Sequence, residues 1–89
     1  MITTLRKPVV KQCPFKDETD IGEIVITVPG DAPELHALAV AVDEAGAGRV
    51  SHEDFTRRVA ALLPAGSEVV TTWRTGPWSV EARAVTGEP

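Results

Sequence analysis

Cys13 is the chain's single cysteine, and Asp20 follows it by seven residues in the run Cys13-Pro14-Phe15-Lys16-Asp17-Glu18-Thr19-Asp20-Ile21-Gly22. A thiol and a carboxyl at this spacing, at the mouth of an apolar strand, suit a nucleophile and a proton donor. A thiolate adds to an electrophilic carbon, and the anion that develops needs an acid within reach. A second polar cluster, Ser51-His52-Glu53-Asp54, stands where a helix should begin. Each cluster alone has a plainer reading. A lone cysteine is most often a small buried hydrophobe, Asp20 could simply end a turn before Ile21-Gly22, and carboxylates in a first helical turn are favoured by the helix dipole whether or not anything binds. Taken together, the two clusters favour chemistry.

Other reactive side chains add little. Cys13, His36 and His52 fall at no recognised metal-ligand spacing, so no metal is expected. His36 lies in the first helix, away from both clusters, and reads as a surface or packing residue. Trp73 and Trp78 flank the last turn and read as packing or interface residues.

The elements that must position these residues follow from composition and period. At 89 residues the chain is expected to form one domain, 1–89, and a chain this short leans readily on partner subunits. A single cysteine allows no internal disulfide, which favours a reducing, cytoplasmic setting. The opening Met1-Ile2-Thr3-Thr4-Leu5-Arg6-Lys7 has no long apolar core, so neither a signal peptide nor a membrane span is expected. The net charge of −4 argues against a protein built chiefly to grip phosphate backbones.

Pro8–Gln12 is expected as a short strand leading into Cys13. Ile24, Ile26 and Val28 alternate with Glu23, Val25 and Thr27, the period of a strand, which Pro29-Gly30-Asp31 ends. Pro33 is expected in the first turn of a helix carrying Leu35, Leu38, Val42 and Ala45 at helical spacing, stopped by Gly46-Ala47-Gly48. Ser51 suits the N-cap of a second helix, with Asp54 three residues on and Phe55, Val59, Leu62 and Leu63 as its apolar face. Glu68–Trp73 and Trp78–Ala84 then read as two strands joined by the short Arg74-Thr75-Gly76-Pro77. The order is ββααββ, an α+β fold with an antiparallel sheet. Two helices cover only one face of such a sheet, so the other face, expected to carry Val25, Trp73 and alternate residues of the last strand, calls for self-association into a ring or barrel.

With those residues in place, the chain resembles the QueF and QueF-like family, the 7-cyano-7-deazaguanine nitrile reductases and the related archaeosine amidinotransferases. The resemblance rests on Cys13-Pro14, Asp20 with Gly22, Glu34, His52-Glu53 opening a helix, and Arg74 with Gly76 in the last hairpin. It spans residues 12–84. It implies the tunnelling fold, a ββααββ unit assembled into pentameric rings that stack in pairs as decamers. It also implies that Cys13 adds to the nitrile carbon to form a covalent thioimide while Asp20 supplies the proton the nitrile nitrogen gains. His52 is then expected to relay protons or pack on the bound ring, Glu53 to accept hydrogen bonds from the ring N–H and exocyclic amine of the base, and Glu34 to lie near the same pocket.

The departures from the family pattern select among its branches. The reductases follow the helix-opening glutamate with a serine-lysine-serine run and a further lysine that hold the phosphate of NADPH, whereas Glu34 here precedes Leu35-His36-Ala37-Leu38-Ala39. Those positions offer no cation apart from His36, so NADPH is not expected as a cofactor. The residue before the His-Glu pair, aromatic in the reductases, is Ser51. Both losses favour the amidinotransferase branch, in which ammonia attacks the thioimide to give an amidine and no cofactor is needed. The substrate is then 7-cyano-7-deazaguanine as the free base or within a nucleic acid. Two alternatives remain open: an NADPH-dependent reductase of queuosine biosynthesis, and a non-catalytic subunit that binds a deazapurine or pterin-like ring.

Overall fold

The computed structural model describes residues 1–86. The element order is β1 (Ile2–Gln12), β2 (Thr19–Pro29), α1 (Leu35–Ala45), α2 (His52–Ala60), β3 (Glu68–Thr75) and β4 (Trp78–Val85). The four strands form one antiparallel sheet in sequence order. This is the expected ββααββ arrangement.

Strand alternation decides what meets the helices. Ile24, Ile26 and Val28 of β2 and Val69 of β3 are buried on the helix-covered face with Val42 of α1 and Phe55 and Val59 of α2. The odd residues of β2 and the even residues of β3 point to the open face, where Val10 and Ile21, directly paired across β1 and β2, are 62% and 67% exposed. Val25 lies on the open face as expected. Trp73 does not: it shares the parity of Val69 and Thr71 and is 1% exposed beneath the helices.

β1 is longer than its signal suggested, running back from Pro8 to Ile2. Arg6 and Lys7 hide the alternation there. Pro8 is tolerated because β1 is an outer strand, where a missing N–H costs no ladder bond on the solvent side. α1 starts later than expected. Pro33 precedes its N-cap, Glu34, whose carboxylate accepts from the amides of His36 and Ala37. Ser51 caps α2 as expected, accepting from Asp54 N at 3.0 Å. That helix ends at Ala60, so Leu62 falls outside it and is half exposed. The last hairpin pairs Thr75 with Trp78 across only Gly76-Pro77, and Gly76 supplies the positive φ, +57°, that such a two-residue turn demands. No helix among the described residues is long and apolar enough to cross a membrane.

Candidate active site

The sheet register fixes the site. β1 and β2 pair Lys11 with Asp20 and Gln12 with Thr19, and the Cys13 amide then donates to Glu18 O at 2.9 Å. Cys13 therefore stands at the end of β1, one residue past the strand, with a half-buried thiol. The parity of the strand puts Lys11 and Asp20 together on the helix-covered face, where Lys11 Nζ donates to Asp20 Oδ2 at 2.6 Å. Both side chains are almost fully buried, at 0% and 9% exposure.

A buried ion pair needs further partners to offset its desolvation. Trp73 is one. The Lys11 ammonium lies 4.9 Å from its ring centroid, a cation–π arrangement strengthened by the exclusion of water. The indole leans over Gly22, its cross-strand partner; a Cβ there would sit 2.6 Å from Trp73 Cε3 and closer still to the Thr72 carbonyl. Only glycine leaves room for the ring.

The indole is also tied from its edge. Trp73 Nε1 donates to Thr71 Oγ1 at 2.9 Å, Thr71 and Thr56 share a hydroxyl contact of 2.7 Å, and Thr56 Oγ1 donates to His52 O at 2.7 Å. Because the Thr56 hydroxyl donates to that carbonyl, Thr71 must be the donor between the two threonines. The bonds run in one direction, from β3 into the first turn of α2. They fix where that helix begins relative to Lys11 and Asp20.

His52, the first residue of α2, stacks on Trp73 with 4.9 Å between centroids and 11° between planes. Its Nε2 contacts Thr75 Oγ1 at 3.0 Å, while Nδ1 is buried with no hydrogen-bond partner among the described residues. Burial and then the nearby Lys11 cation push the His52 pKa below its ordinary value, against the weaker pull of Asp20 and Glu53. The imidazole is accordingly neutral near pH 7 and presents a flat ring continuous with the indole.

Loop 48–50 carries α2 to this place. Val50 N bonds to Gln12 O, and Arg49 forms an isolated bridge with Gln12. The Arg49 guanidinium reaches the carbonyls of Cys13 and Lys16 at 3.4 and 3.2 Å and pairs with Asp17. One side chain thus clamps the turn between Cys13 and Asp17.

The structure gathers Asp20 and His52 around Trp73 and sets Cys13 at the adjoining strand end. Glu53 is exposed one residue along α2, lining a surface groove with Glu81 and Arg83 of β4. Glu34 lies elsewhere within the single chain, at the N-cap of α1, beyond the Pro29 end of β2 and across the length of that eleven-residue strand from Thr19. The amides of Ala37 and His36 hold its carboxyl below the usual carboxylate range. Two residues central to the arrangement carry no obvious motif: Lys11 and Arg49. For Lys11 the available signal is its parity, since it shares the inward phase of Val9 two residues before the only cysteine. Among the described residues no cluster of three or more His, Cys, Asp or Glu could hold a metal.

With this geometry in view, comparison with solved structures is decisive for the architecture. The crystal structure of the archaeosine synthase QueF-Like in the apo form superposes with a TM-score of 0.79, covering 99% of this chain and 96% of that one at 21% identity. The two chains share one fold. No family model and no curated protein matches the sequence. At this identity the likeness establishes the tunnelling-fold arrangement of strands and helices over nearly the whole chain.

Proposed function

We propose that the protein is a QueF-like enzyme that captures the nitrile of 7-cyano-7-deazaguanine on Cys13 as a thioimide and then admits ammonia to give an amidine. The observation that carries this reading is a half-buried free cysteine just past the end of β1, two residues along the chain from Lys11 of the buried Lys11–Asp20 pair, in a chain with the fold of an archaeosine synthase.

The chemistry fits the residues. The thiol sulfur bonds to the nitrile carbon, one π bond of C≡N opens, and the nitrogen gains a proton through Asp20. Ammonia then attacks the same carbon, the C–S bond breaks, and the thiol returns. No electron carrier takes part. The neutral His52 ring, backed by the buried Trp73 indole, offers a flat surface to the planar base, and the exposed Glu53 carboxylate suits the ring N–H and exocyclic amine of a guanine-like edge. The opening of α1 supports ammonia over hydride as second reactant, because Leu35-His36-Ala37-Leu38-Ala39 presents no lysine or arginine to a nucleotide phosphate. We take the working form to be a homo-oligomer, a pentamer or stacked decamer, that closes the site with a neighbouring copy. Outer strands β1 and β4 and the exposed Val10–Ile21 pair on the open face support that assembly.

The test mixes protein, 7-cyano-7-deazaguanine and ammonium and reads the product by mass. A product heavier than the base by one ammonia is expected. Stoichiometric NADPH oxidation with an amine product would replace this reading with the reductase, and tight binding of base with no turnover under either condition would replace it with the ring-binding subunit. Base already placed in a transfer RNA, supplied in parallel, decides which form is the substrate.

A further inference from the structure

Trp78, at the start of β4, is 72% exposed although it stands on the face of the sheet that the helices cover. Alternation fixes that face: Val80 and Ala84 pack against the core and Ala82 is buried, so Trp78 shares their side. No helix lies over it, because α2 begins only at His52 and the chain just before it is tied to β1 through Val50 N and Gln12 O. The indole is the largest apolar group the fold leaves in the open, and it does no packing work that its size would call for.

Its position relative to α2 follows from the register. Trp78 pairs with Thr75, and the Cβ atoms of directly opposed residues stand about 5 Å apart. The Thr75 hydroxyl contacts His52 Nε2 at 3.0 Å, so Trp78 stands beside the Nε2 edge of the imidazole. One face of that imidazole lies on Trp73. Ser51, on the other side of His52 in the chain, brings no ring and caps α2 instead. Glu53 lines the groove along β4 at Ala82, on the same face as Trp78 and about 13 Å further along the strand. Imidazole, carboxylate and indole thus border one open corner at the start of α2. A neighbouring copy pairing with outer strand β4 would use its backbone in the plane of the sheet, whereas the indole stands roughly perpendicular to that plane.

We propose that Trp78 is a substrate-binding residue whose indole stacks on the planar base as the base lies against His52, with Glu53 holding the polar edge. Stacking accepts any flat heteroaromatic ring and supplies affinity, while the carboxylate selects the ring that offers two donors side by side. This deepens the function proposed above and takes its ligand from that reading.

The experiment uses the full-length protein carrying Cys13→Ala, so that binding is read without a covalent step. Equilibrium dialysis gives the Kd for 7-cyano-7-deazaguanine, with guanine and pterin in parallel, in the Trp78, Trp78→Leu and Trp78→Phe forms. Trp78→Leu should weaken binding about tenfold or more, and Trp78→Phe should stay within about threefold. Melting temperature and sedimentation should not change in either variant. Iodide quenching of tryptophan emission, which reads the exposed Trp78 and not the buried Trp73, should fall when the base is added.

A Trp78→Leu Kd within twofold of the parent, or iodide quenching that the base leaves undiminished, would overturn the proposal. So would a loss of affinity accompanied by altered sedimentation, which makes the indole an interface residue. Trp78-dependent binding in a protein whose Cys13 form gives no adduct keeps the stacking residue and removes the thioimide. The same dependence for guanine or pterin alone keeps it and removes the cyano base as substrate. Binding of none of the three rings removes both readings.

Discussion

One face of one sheet carries two unlike halves. Around Ile24, Ile26, Val28, Val42, Val59 and Val69 it is hydrocarbon packed against hydrocarbon. Toward the Cys13 end the same face buries an ammonium, a carboxylate and two threonine hydroxyls around one indole, on which a half-buried imidazole stacks. The first half gains stability from each methylene taken out of water. The second half holds charge where water is scarce at a cost in desolvation free energy, and it does so with partners drawn from three strands, β1, β2 and β3, and from α2. Apolar packing and buried charge occupy separate ends of one surface, with Trp73 and Phe55, in edge contact at 5.6 Å, at the seam.

Substitutions on either side of the seam test that division. The largest stability losses are expected from Phe55→Ala and Lys11→Met, each about 3–5 kcal/mol by urea unfolding, the first through a cavity and the second through an unpaired buried carboxylate. The difference lies in rescue: removing Asp20 as well should recover most of the Lys11→Met loss, while no partner change should recover Phe55→Ala. If the double charge removal rescues nothing, the polar half is packed like the apolar one and the division fails.

Gly22→Ala should be next. The new methyl overlaps the indole and the Thr72 carbonyl, so the ring must move, at a cost of about 1–3 kcal/mol for an overpacked site. Near-ultraviolet circular dichroism should change along with the melting temperature. An unchanged tryptophan signal would show that the indole is not seated on residue 22.

The smallest effect concerns pH. The His52 pKa is lowered in the folded state, so the unfolded chain binds the proton first as pH falls through the ordinary histidine value of about 6.5. The stability held above that value is lost between it and the lowered folded value. His52→Gln, whose amide can hydrogen-bond Thr75 in either sense, should flatten the stability profile between pH 7 and 5, and an unaltered slope would show that the ring titrates as if exposed.

The fold was largely legible because its signals are local: alternation in residues 23–28, Ser51 as a cap, Pro29-Gly30 and Gly76-Pro77 as turns. The interior of the site was not. Trp73 followed the parity of β3, which became readable only once the strand's start was fixed, and it turned toward the helices where a place on the open face was expected. Lys11 gave only its parity with Val9, a weak signal because a lysine in a strand is ordinarily a solvent-facing residue and only its register against Asp20 makes it half of a buried pair. Arg49 acts on carbonyl groups, which leave no trace in the pattern of side chains. Glu34 was readable as a helix opener, and within one chain that is the work its carboxylate does.

The central claim is a covalent bond between sulfur and a nitrile carbon. The direct measurement is the intact mass of the protein after mixing with 7-cyano-7-deazaguanine in the absence of ammonia, followed by peptide mapping. One added equivalent of the base on Cys13, lost in Cys13→Ala with the melting temperature unchanged, is the predicted result. Unmodified protein at saturating base, or an adduct that persists in Cys13→Ala, would contradict it.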